Sequence, residues 1–111
     1  MRIVNLEDGH PTVNVGLLRL DRALVAARHE RVPVLKLIHG YGSSGVGGRL
    51  KGEVWKALDR FRRNGMVQDF ITGEDFRISN EATWMLLKRF PDIKQDRDLG
   101  RMNKGVTIVI I

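Results

Sequence analysis

The sequence contains no cysteine. This removes disulfides, thiol nucleophiles and cysteine-based zinc or iron–sulfur sites in one step. Long apolar runs are missing too. The longest, Val106-Thr107-Ile108-Val109-Ile110-Ile111, is only strand length, whereas a membrane span needs about 20 residues. The stretch from Met1 to Asp8 turns acidic too early for a secretory signal, whose apolar run is roughly 7–15 residues. A cytoplasmic protein with no membrane partner is the expectation. Metal-ligand patterning is also lacking. His10, His29 and His39 do not stand at ligand spacing, and no carboxylate cluster accompanies His39 along the chain. No metal or other cofactor is expected.

What is present is a basic chain of one-domain size. Its 111 residues carry 19 Lys and Arg against 13 Asp and Glu, a formal net charge of +6. Apolar residues make up 42%, enough for a real core and too many for a disordered segment. A sequence pI near 10.3 favours polyanionic partners, nucleic acid first and an acidic protein or membrane surface second. A merely soluble basic protein satisfies the same charge balance.

The apolar pattern alternates between periods of two and of 3.6. Thr12-Val13-Asn14-Val15-Gly16 places Val at alternate positions and predicts a short strand. Leu17, Leu20, Leu24 and Ala27 then follow at helical spacing, and Pro33 cannot continue a helix. Val34-Leu35-Lys36-Leu37-Ile38 reads as a strand at a sheet centre. A second helix is expected from about Arg49, with Leu50, Val54, Leu58 and Phe61 as its stripe and Asn64-Gly65 as its stop. Met66 to Ile71 forms a third strand. Asn80 to Phe90 forms a helix capped by Ser79 or Asn80 and ended by Pro91. Asp92 to Lys104 is charged and aperiodic, and reads as a long mobile loop. Gly105 opens a last strand, and residues 1–6 offer an extra edge strand. Trp55 and Trp84 are expected in the partial core. The order (β)βαβαβ(α)β predicts an α/β fold, with helices packed on a small mixed four-stranded sheet.

The strongest chemical signal lies between the central strand and the second helix. His39-Gly40-Tyr41-Gly42-Ser43-Ser44-Gly45-Val46-Gly47-Gly48 holds five glycines in ten residues. Open α/β sheets bind ligands at the carboxyl ends of their strands. Glycines let backbone N–H groups approach a phosphate, and a helix start adds positive potential. Gly40, Tyr41, Gly42, Ser43, Ser44, Gly45, Gly47, Gly48, Arg49 and Lys51 are therefore the candidate nucleic-acid-binding residues. Tyr41 could stack on a base or pack back onto its helix. His39 at the strand end is the candidate catalytic acid/base, or else a strand-end cap. Gly40 to Gly45 also spells G-x-G-x-x-G, with Asp69 placed like a ribose-binding acid. A dinucleotide site is disfavoured, since the chain lacks the second mononucleotide-binding half and the glycines run on through Gly48. No Gly-Lys-Ser/Thr follows, which excludes a P-loop.

Leu37-Ile38-His39-Gly40-Tyr41-Gly42, followed by Leu50-Lys51, resembles the strand, H-G-x-G loop and helix start of the small MutS-related (Smr) domain. Gly105-Val106-Thr107-Ile108-Val109-Ile110 resembles that family's closing G-V-T-x-V strand. The resemblance covers roughly residues 12–71 and 105–111. It implies a two-layer α/β sandwich similar to the C-terminal domain of bacterial translation initiation factor 3. It also implies binding of DNA or RNA, with nicking or RNA endonuclease activity in some members. The family's first strand usually carries L-D-L-H-G. On the strand expected at 12–16, Asn14 and Gly16 stand where its acid and histidine would be, which weakens an endonuclease reading through His39. The whole chain, 1–111, is then one such domain with an insertion at 72–104. A protein partner docking on that insertion is the remaining alternative to nucleic-acid binding.

Overall fold

A computed structural model of the chain describes residues 1–42 and 46–111. Its elements run β1 (Arg2–Asn5), α1 (Val13–His29), β2 (Val34–Ile38), α2 (Val46–Arg63), β3 (Asp69–Thr72), α3 (Glu81–Arg89), a 3-10 turn (Pro91–Gln95) and β4 (Val106–Ile110). The four strands form one mixed sheet in the order β1-β2-β4-β3. β1 runs parallel to β2, and β4 runs antiparallel to both β2 and β3. The carboxyl ends of β1, β2 and β3 therefore meet along one edge, where β4 begins.

Strand alternation divides the core. Leu35, Leu37 and Val109 face α1 and α2, packing with Leu20, Leu24, Leu50, Val54 and Leu58. Val34, Ile71, Ile108 and Ile110 face the other way, onto Phe76, Leu86, Leu87 and Ile93 of the segment between β3 and β4. β2 and β4 are buried almost throughout, as their near-continuous apolar sequences require.

Residues 12–16 are not a strand. Thr12 caps α1, its hydroxyl accepting from the Val15 N–H at 3.3 Å, and the helix starts at Val13. Val15 is exposed, so its alternation with Val13 does not record a buried face. Gly16 is buried where the two helices cross, and a Cβ there would lie 2.5 Å from Leu50 Cδ1. The first strand is the edge segment Arg2–Asn5 instead. α2 likewise begins earlier than the glycines indicate, taking in Val46, Gly47 and Gly48.

The segment expected to be a mobile loop is held in place. Ile93 is buried, and a 3-10 turn starts at Pro91. Lys36, on the sheet face opposite α1 and α2, bonds Asp96 Oδ1 and Oδ2 at 2.9 and 3.0 Å and pairs with Asp98. Asn103 Nδ2 donates to Asp98 and its Oδ1 accepts from the Gly105 N–H. Trp84 is half-exposed rather than core, with the Lys88 ammonium over its ring. No helix among the described residues is long and apolar enough to cross a membrane.

Candidate functional site

At the common strand edge, β1 ends in Asn5-Leu6-Glu7, β2 in Ile38-His39-Gly40 and β3 in Thr72-Gly73-Glu74. Gly105 closes the edge from the start of β4. Its carbonyl accepts the N–H groups of both His39 and Gly40, at 3.0 and 3.1 Å. The first two amides of the glycine stretch are thus spent inside the fold. Gly40 turns the chain with φ +72°, and a Cβ there would strike the Glu7 carboxylate. The positive φ favours glycine at this position, while the Glu7 side chain could swing away from a Cβ.

His39 is fully buried. Its Nδ1–H donates to the Gly40 carbonyl at 2.6 Å, since a carbonyl can only accept. Nε2 then accepts from the Thr107 hydroxyl at 2.8 Å, and Thr107 Oγ1 accepts from the Trp55 indole N–H at 3.0 Å. This chain is complete for one neutral tautomer. A second ring proton would break this pattern, because Thr107 Oγ1 would then have to accept from both His39 and Trp55. Burial holds the His39 pKa below its usual value, helped by the Lys51 charge and opposed by the Gly40 bond and Glu74. In this setting the imidazole orients the Gly40 carbonyl and ties β2 to α2 and β4.

The basic candidates differ in how available they are. Arg49 is exposed on the first turns of α2. Lys51 is not free: its ammonium bonds Glu74 Oε2 at 3.2 Å and sits 4.7 Å from the Trp55 ring centroid. Glu74 Oε1 is buried without a hydrogen-bond partner among the described residues. Tyr41 is 58% exposed, with its ring edge against Gly105. Gly48, in the first turn of α2 with Gly47, lies against Gly42 and Tyr41. Ser43, Ser44 and Gly45 lie outside the described residues.

Carboxylates missed in the sequence thus flank His39 in space. Glu7 stands beside Gly40 and Glu74 beside Lys51, far apart along the chain and joined only by the parallel strands. Asn14 and Gly16 are helix residues, so they do not stand on a first strand as the L-D-L-H-G correspondence expected. On the other side of the edge, Arg97 lines one cleft with Tyr41 and Gly105, Lys104 directly precedes Gly105, and Arg101 is exposed on the same 96–104 segment.

This topology, with helices on a mixed four-stranded sheet and a glycine-containing turn at the strand ends, defines an Smr-like α/β fold. A structural match is the Smr domain of MutS2 from Thermus thermophilus, with a TM-score of 0.61 and 26% identity over 99% of this chain and 96% of that one. No family model matches the sequence, and no curated protein matches it.

Proposed function

We propose that the protein is an Smr-like nucleic-acid-binding domain that holds the phosphate backbone along the common strand edge. The glycine stretch 39–48 and the start of α2 with Arg49 form one side of the grip. Arg97, Arg101 and Lys104 form the other. The reading is carried by one observation: the structural match to an Smr domain extends over nearly the whole chain. The net charge of +6 supplies the long-range attraction.

Lys51 contributes to the grip only if phosphate displaces Glu74 from it. Glu74→Gln is therefore expected to tighten binding, whereas Arg49→Ala loosens it, both read by titrating a labelled oligonucleotide. Equal affinities for all three proteins would remove this side of the edge from the interface. His39 serves as the strut that sets the Gly40 carbonyl. An endonuclease working through His39 as acid/base has no support in its burial and closed hydrogen bonding.

A further inference from the structure

Beside the strand edge lies an open cleft of about 540 Å³, on the sheet face not covered by α1 and α2. Its lining mixes the apolar side chains of Ile3, Ile38 and Val106 with Glu7 and the Lys36–Asp96–Asp98 ion group, and includes Tyr41. Arg97 and Asn103 also border it. Ile3 is 60% and Tyr41 58% exposed, so two large apolar side chains of one cleft face solvent. The cleft is also held open. The Lys36 bonds to Asp96 and Asp98 fix the 96–98 wall, and the Asn103 bonds to Asp98 and Gly105 fix the turn beside it.

Apolar side chains and an aromatic ring beside paired polar groups match a planar heterocycle with polar edges, and the carboxylates of Glu7, Asp96 and Asp98 disfavour a bare phosphate. We infer that the cleft receives an unpaired nucleobase, seated against Tyr41 and Ile3, while the adjoining phosphates lie on the basic rim. This rests on the proposed nucleic-acid binding and narrows it to single-stranded segments. A base inside a duplex must first leave its stack and its partner to enter such a cleft. Tyr41 belongs to both the glycine turn and the cleft, so base and phosphate sites are continuous.

The test compares three labelled ligands at one fixed salt concentration: a single strand of about 12 nucleotides, the same backbone made abasic, and a duplex of that sequence. The single strand should bind about tenfold or more tighter than the abasic backbone. Tyr41→Ala and Ile3→Asn both leave net charge unchanged and alter exposed side chains. Each should bring the single strand towards the abasic affinity, and in Ile3→Asn, which lies outside the glycine stretch, the abasic affinity should stay the same. Equal binding of abasic and intact strands overturns the base site but leaves backbone binding standing. No binding to any ligand defeats the proposed function itself. Adenosine monophosphate alone binding as tightly as the strand would assign the cleft to a free nucleotide and overturn the polymer reading.

Discussion

Thr107 shows how much one hydroxyl can hold in this fold. It donates to His39 and accepts from Trp55, joining β4, β2 and α2 at a fully buried point. Thr107→Val keeps the shape and strands both partners, so it should cost about 1–3 kcal/mol in denaturant unfolding. His39 adds a pH signature. Its folded pKa is depressed, so the unfolded chain binds the extra proton first. The stabilisation is complete above about pH 6.5 and is lost as pH falls from there towards the folded value. Thermal unfolding followed between about pH 8 and pH 5 should show that decline, and it should flatten in His39→Gln. Gly73 is constrained by space. A Cβ there would overlap the Asn103 carbonyl, so Gly73→Ala should destabilise by about 1–3 kcal/mol by the same assay. The sequence marks His39 by its place before a glycine run. It does not reveal that Trp55 and Thr107 close its hydrogen bonds, because those partners are remote in the chain.

Among the elements, β2, β4 and the three helices were readable from apolar period, and Asn80 from its capping chemistry. The failures have particular causes. Val13 and Val15 imitate a strand, but Thr12 caps a helix whose buried face is set by Gly16, Leu20 and Leu24. Residues 92–104 show no period, yet they are fixed by Ile93 and by a buried ion group that periodicity cannot report. Burial alone would lower the Lys36 pKa, but hydrogen bonds from its ammonium to Asp96 and Asp98 outweigh it and hold it above the usual value. Burial would likewise raise the Asp98 pKa, yet its bonds with Lys36 and Asn103 keep it low. Lys36→Met leaves two carboxylates facing the sheet without their cation and should cost about 3 kcal/mol or more in chemical denaturation. Asp98's contribution is present above about pH 3.8 and disappears as pH falls through its lower folded value.

For the whole molecule, topology converts scattered residues into one edge. Parallel β1, β2 and β3 bring Glu7, His39 and Glu74 together, while the 96–104 segment adds Arg97 and Lys104 from the far end of the chain. The glycine turn was legible in the sequence and the flanking carboxylates were not, since their proximity depends on strand order β1-β2-β4-β3. The proposed phosphate binding requires that Arg49, Arg97, Arg101 and Lys104 outweigh Glu7 and Glu74 in the charge balance at this edge. The most direct measurement is an anisotropy titration of a labelled single strand of about 12 nucleotides at roughly 50 and 200 mM salt, with wild type and Arg97→Ala/Lys104→Ala. The account predicts tight low-salt binding that weakens steeply with salt, and a shallower salt slope in the variant. Binding indifferent to salt and to both substitutions, or none at low salt, would contradict it.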